Sequence, residues 1–525
     1  GGFIATETGA GYAWTANSRE NRLTPWHNDP VLDPHSEAIY LRDRDSRRYW
    51  SPLPGPAGAG VECEIRHGFG ASEYRQVAEQ LEQRVVAFMP PRGAVKITRM
   101  SLSNRGSETR RLDVMSYADL ALGNGTHESA AGVVAWFDED SQAIFAKNPR
   151  RELAGRIAFA AILGADVEEP ICWCCDPRDF LGPLGDLAAP RAVCRGRRLV
   201  GRPASGGPAC AALQAELELA PGAETEAVLL VGEADSQAEA RKLIDQYRSP
   251  ASVEAALAAA RDKWRGILSA IEIETPSQPV NLMVNGWLPY QNLSCRIWAR
   301  SAYYQAGGAY GFRDQLQDAA AYVYHWPELT RDQIVRHASH QFVEGDVLHW
   351  WHPPLSRGLR TRFADDLLWL PMIAAEYCAT TGDEALWDYE APFLRGPQLD
   401  PGEDERFILP EPAGVAGSIY DHCCRAVDRS LAVGDRGLPL MGCGDWNDGM
   451  NRIGHGRGES VWMGFFLCYV LDRMIPVCRR RGDDERVASY EQHRRNLTAA
   501  LNDAGWDGQW YRRAYFDDGT PVGSI

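Results

Sequence analysis

The chain has 525 residues, a net charge of −16 and the composition of a globular protein, 45% hydrophobic and 24% charged. That length suits about two to four domains. The negative charge argues against nucleic acid or an anionic membrane surface as the main partner, leaving room for a local basic pocket that takes one small anion. Seventeen tryptophans suit either the C–H faces of sugar rings or a large core. The thirteen cysteines are odd in number and scattered, and the tightest group, "CWCCD" (Cys172, Cys174, Cys175), lacks a second pair at zinc-site spacing. Buried thiols in a reducing compartment are therefore expected, with no metal and no cofactor.

In chain order, residues 1–235 read as an antiparallel β-sandwich. The stretch "AVKITRMSLSNRGSETRRLDVMSYADLAL" alternates through Val95, Ile97 and Met100, turns at "NRGS", and alternates again through Leu112, Val114 and Ser116. "CAALQAELELAPGAETEAVLLVGEA" repeats the scheme around the turn "APGAE". Residues 236–275 change to a helical period and read as a helical linker. From 276 to 525 helices dominate, about seven long ones by pattern. Among them are a segment kinked by Pro289, one that opens on Asp365 and Asp366 and stops at Gly382, and one that ends in three arginines and Gly482. The longest uncharged apolar run, "VWMGFFLCYVL", is too short to span a bilayer. No signal peptide opens the chain, and the first and last residues read as the ends of a clipped fragment of a soluble protein.

Between the helices lie loops rich in carboxylates, arginines and indoles: "GGAYGFRDQLQD", "EGDVLHWWHPP", "GLRTRFADD" and "GCGDWNDGMN". If they converge, they form a polar pocket with aromatic walls, the chemistry of a carbohydrate site. Taken singly, each has a plainer reading. "NDG" is an ordinary turn, "FRD" can be a helix-capping ion pair, and "HWWH" offers only two imidazoles. "DWNDGMN" is not an EF-hand, because Gly449 falls at the fifth position and Gly456 stands where a bidentate Glu is needed.

Read together, "SRENRLTPWHNDP", "ARSAYYQAGGAYGFRDQLQD", "QFVEGDVLHWW", "DDLLWLP", "GLPLMGCGDWNDGMNRIG" and "WDGQWYRRAYFDDGTP" resemble the glycoside phosphorylases of glycoside hydrolase family 94. The likeness extends to the phosphorylase-like C-terminal region of cyclic β-1,2-glucan synthases. It implies an N-terminal β-sandwich, a helical linker and an (α/α)6 barrel, here truncated at its C-terminal end. It also implies inverting phosphorolysis of a β-glucosidic bond to α-glucose 1-phosphate, with inorganic phosphate as co-substrate. By motif, Asp448 is the general acid, Arg313, Asp314 and Trp446 hold the sugar, and Arg300 faces phosphate. An acid in that role is expected in a dehydrated pocket beside Trp446, which would raise its pKa.

Cellobiose-type relatives carry an arginine just ahead of "GFRD" that this sequence lacks, which points to a different linkage or a longer glucan. The family's histidine-bearing phosphate loop falls beyond the last residue here. Two other readings stay open. One is an inverting hydrolase with Asp365, Asp366 or Glu344 as base; the other is a non-catalytic module that binds glucan for a partner synthase. The resemblance further implies a homodimer and a cytoplasmic domain, with an attached synthase region in a parent protein of the inner membrane.

Overall fold

The computed structural model describes residues 1–125, 131–164, 166–183, 185–302 and 304–523. They fall into two compact units, Gly1–Ser269 with Trp298–Gly308, and Ala270–Ile297 with Ala309–Ile525.

The first unit is a sandwich of a nine-stranded and a five-stranded sheet. Both predicted turns join strands of different sheets. Val95–Asn104 lies in the larger sheet and Arg110–Asp119 in the smaller, and the same holds for Glu224–Ala234 and Cys210–Leu219. Buried Asn104 ties the two corners together, its Nδ2 donating to the carbonyls of Glu108 (2.7 Å) and Leu219 (3.0 Å).

The larger sheet is covered on both faces. In Val95–Asn104, Met100 and Leu102 face the sandwich core with Leu112, Val114 and Leu213, whereas Val95 and Ile97 join a separate apolar layer. That layer is completed by two helices from the stretch read as a linker. Counting only helices of nine or more residues, these are α1 (Gln237–Gln246) and α2 (Pro250–Leu268). Ala240, Ile244, Val253, Leu257 and Ala260 meet Phe88, Phe145 and Phe159. A strand buried on both faces shows no strict alternation, which is why the apolar positions change parity between Ile97 and Met100.

The second unit is helical: α3 (Phe312–Ala320), α4 (Pro327–Ala338), α5 (Trp369–Thr381), α6 (Ile419–Arg429), α7 (Val461–Arg480) and α8 (Asp484–Asn502). The segment around Pro289 mixes short α-turns with π-helical turns over Met283–Trp287 and Asn292–Ile297. Helix α5 closes on Gly382 at φ 75°, a left-handed position that suits glycine.

Helix α7, which contains the apolar run, extends to 20 residues and is long and apolar enough to cross a membrane, the only such helix among the described residues. Here Leu467, Val470, Leu471, Met474 and Cys478 instead pack into one core with residues of α5, α6 and α8.

Small sheets join the helices. "HWWH" is a strand, Leu348–His352, between Tyr310–Gly311 and Arg357–Thr361. "RRAYFDDGTPV" is a hairpin in which Ala514–Tyr515 pairs with both Pro521–Val522 and Glu459–Ser460.

Candidate active site

One buried residue anchors the polar loop Gly442–Asn451 from beneath. Asp445 is fully buried; its carboxylate accepts Arg513 Nη2 (2.6 Å), Ser460 Oγ (2.7 Å) and the backbone N–H of Asn447 (3.0 Å). Ser460 also caps α7 through Met463 N–H. Gly442, at φ 62°, allows the loop to approach the strand end at Arg362, since a Cβ there would meet Arg362 O at 1.9 Å. Asn447 accepts Gly449 N–H at 2.9 Å and starts a short turn, Asp448–Met450, which carries Asp448 outward.

Arg313 reaches this loop from the first turn of α3. Nη1 donates to both carboxylate oxygens of Asp365 (3.0 and 3.2 Å) and to the carbonyl of Asp445 (3.0 Å). Nη2 donates to Asp448 Oδ1. The guanidinium lies 5.5 Å from the ring of Phe363. His349 stacks on that same ring at 4.5 Å and 10°, with Nδ1 2.7 Å from Asp366 Oδ2. Asp365 also accepts Trp369 Nε1 at 3.0 Å.

Burial raises the Asp365 pKa, as does the neighbouring charge of Asp366, with Arg313 opposing. Burial alone would lower the pKa of His349, but the Asp366 carboxylate more than reverses this and leaves it raised. Three carboxylates thus surround Arg313 and hold it protonated against its burial.

The four aspartates differ in access. Asp365, Asp366 and Asp445 are buried, whereas the side chain of Asp448 is 65% exposed. The expectation of a dehydrated pocket is therefore not met: Trp446 is itself 52% exposed and does not enclose the acid. The cause is local, since the anchor is Asp445 and the turn after Asn447 projects away from it.

The structure brings Arg313 and Asp448 into contact and places Trp446 two residues away in the same loop. Arg313 has no open face for a sugar, at 6% exposure with Nη1 and Nη2 engaged by the protein. Asp314 follows it in α3, half-buried, its carboxylate folded over Gly311. Arg300 belongs to the first unit, in Trp298–Gly308, with φ 48°. Tyr303 of its motif lies outside the described residues.

The two imidazoles of "HWWH" go to different neighbours, His349 to Asp366 and His352 to Trp350 in a T-shaped contact (5.4 Å). Among the described residues no group of three or more His, Cys, Asp or Glu side chains is placed to hold a metal ion. Asp445, Arg513 and Ser460 carry the loop, yet nothing in their local spacing marks them, because the contact between Arg513 and Asp445 joins residues 68 apart in the chain.

Residues 1–250 match the family model described as glycosyl hydrolase 94, supersandwich domain, and residues 263–525 match the glycosyl hydrolase 94 superfamily, catalytic domain. Over the whole chain the sequence is 42% identical to the cyclic beta-(1,2)-glucan synthase NdvB of Rhizobium meliloti, of which it spans 18%. It is 28% identical to a 3-O-beta-D-glucopyranosyl-beta-D-glucuronide phosphorylase of Paenibacillus borealis, over 93% of this chain and 61% of that protein. It is 26% identical to an N,N'-diacetylchitobiose phosphorylase of Vibrio proteolyticus, over 99% of this chain and 66% of that protein. Among solved structures, a bacterial glucoamylase complexed with acarbose is similar at TM-score 0.57 and 10% identity, over 98% of this chain and 71% of that one. At that identity the likeness bears on the fold alone.

Proposed function

Because the chain belongs to glycosyl hydrolase family 94, we propose that its helical unit cleaves β-glucosidic bonds, those of β-1,2-glucans in particular, by inverting phosphorolysis to α-glucose 1-phosphate. The observation that carries this reading is that Asp448 alone among the four site aspartates is exposed, held by an arginine at the tip of an anchored loop. A phosphorylase needs one such acid. Phosphate is already a nucleophile, so no second carboxylate has to activate it.

In the reaction a phosphate oxygen bonds to the anomeric carbon from the face opposite the leaving group. The bond from that carbon to the glycosidic oxygen breaks, and its electron pair leaves with that oxygen, which takes the proton from Asp448. Trp446 offers an indole face to the sugar, and Asp314 is assigned to a sugar hydroxyl. A bound glucan would cover Asp448 and Trp446, so the substrate itself supplies the water exclusion that the free site lacks.

An inverting hydrolase would need a second carboxylate open to water, about 6.5–9.5 Å from the acid. Asp365 is buried and committed to Arg313 and Trp369, Asp366 is buried against His349, and Glu344 accepts Arg360 Nη2 (3.2 Å) and Gln398 Nε2 (2.9 Å). A pure glucan-binding module has no use for an exposed acid clamped by arginine. The β-1,2 linkage rests on the name of the synthase relative, and phosphate on those of the phosphorylases. Dependence on phosphate suits a cytoplasmic domain of a larger synthase.

The test incubates the full-length gene product with linear β-1,2-glucooligosaccharides, with and without inorganic phosphate, and measures glucose 1-phosphate. Phosphate-dependent release that Asp448→Asn abolishes is expected. Free glucose formed without phosphate would overturn the phosphorylase in favour of the hydrolase, and binding with no product would leave the module.

A further inference from the structure

We propose that Asp365 and Arg313 form a clamp that orients the carboxyl of Asp448 for proton donation, with Asp365 a positioning residue that acts through Arg313. The inference rests on Asp448 being the general acid. The guanidinium is planar, so fixing one terminal nitrogen fixes the direction of the other. Nη1 is fixed three times over, by both oxygens of Asp365 and by the carbonyl of Asp445, and this leaves Nη2 aimed at Asp448.

Asp365 is held in its turn. It is wholly buried, it lies just ahead of α5, and its Oδ2 accepts the indole N–H of Trp369 at 3.0 Å. Phe363 lies beside the guanidinium, with His349 stacked on the same ring. The chain of contacts therefore runs from the core at Trp369 through Asp365 and Arg313 to one exposed oxygen. Asp448 sits on a short surface turn and would otherwise sample several rotamers. A carboxyl must meet the glycosidic oxygen within hydrogen-bond reach to serve as an acid, so restricting it raises the fraction of encounters in line for transfer.

Buried ion pairs also occur for purely structural reasons, and the test separates the two roles by leaving group. The full-length protein is assayed with phosphate on a β-1,2-linked oligosaccharide, whose departing hydroxyl needs a proton. It is assayed in parallel on a dinitrophenyl β-glucoside, whose departing phenolate does not. The ratio of the two rates within one preparation is independent of how much of a variant is folded. Removing the acid, Asp448→Asn, should lower the oligosaccharide rate at least ~10³-fold and the aryl rate less than ~10-fold. Asp365→Asn should lower the oligosaccharide rate roughly 10–100-fold and the aryl rate less than ~3-fold.

Arg313→Lys, which keeps the charge but loses the fork, should show the same skew. Equal losses on both substrates in Asp365→Asn and Arg313→Lys, or no loss in either, would overturn the clamp while leaving the phosphorylase reading intact. A wild type without phosphate-dependent turnover, or equal losses in Asp448→Asn, would overturn that reading and the clamp with it.

Discussion

Each unit contains a buried charge network, and the two end differently. In the sandwich, Glu233 is buried beneath Arg151 and Arg156, and also accepts from Thr15 and Asn21. These contacts gather on Glu233, and Arg156 at the edge also pairs with the exposed Asp235 (2.9 Å). In the helical unit the path from Trp369 through Asp365 and Arg313 stays buried until its last member, and Asp448 emerges into solvent. A network gathered on one buried carboxylate fixes a fold, whereas one whose buried arginine ends on an exposed carboxylate presents that carboxylate for chemistry. What tells the two apart is the arginine that meets the exposed carboxylate: the side chain of Arg156, which holds Asp235, is itself 26% exposed, whereas that of Arg313, which holds Asp448, is 8% exposed and fixed from within.

The sharpest way to break the comparison is to remove the open end. Asp448→Asn should abolish phosphorolysis, a loss of at least ~10³-fold in kcat, while shifting the stability of the helical unit, read by denaturant unfolding, by no more than about 1 kcal/mol, since the side chain is exposed. The sandwich network should show the reverse: Glu233→Gln removes the only carboxylate that pairs with the buried side chain of Arg151 among the described residues and should destabilise the sandwich by about 3–5 kcal/mol, read from its unfolding transition.

A smaller effect concerns pH. His337 in α4 is fully buried, and burial lowers its pKa to about 3, against the hydrogen bond from its ring to Gln333 O. Its unfolded counterpart takes up a proton near pH 6.5, so stability from this group is present above that pH and is lost as pH falls toward 3. Between pH 7 and pH 5 the loss should be about 2 kcal/mol, seen as the difference in unfolding free energy between wild type and His337→Gln at the two pH values. The smallest effect should be the same in both units. Ser249 caps α2 and Ser418 caps α6, each accepting the N–H three residues on, at 3.2 and 3.1 Å. Serine-to-alanine changes should each cost about 1 kcal/mol by thermal melt.

Much of this was legible in the sequence. The β-then-α order, the stop of α5 at Gly382 and the polar loop around Asp448 follow from period, glycine placement and motif. The corners that switch sheets did not, because alternation reports which face a residue takes and not which sheet its strand joins. The role of Arg313 was hidden for a related reason. Its partners Asp365 and Asp448 lie 52 and 135 residues away, and "FRD" reads equally well as a sugar contact or a local cap. The motif located Asp448, but its exposure depends on Asp445, Ser460 and Arg513 meeting across the fold. Arg300 was grouped with the other site residues by motif, yet its segment is compact with the first unit.

Helix α7 has a consequence for how the chain is made. By composition it passes for a bilayer helix, and only its neighbours make it a core helix. Of those neighbours, α5 and α6 leave the ribosome before it, but α8 leaves after it. For the time needed to translate α8, Val461–Arg480 presents an incompletely covered apolar surface to chaperones, to membranes and to other nascent chains. Slow translation just beyond residue 480 would lengthen that exposure, so yield during expression is set in part by how soon Leu497 and Leu501 arrive to close over it.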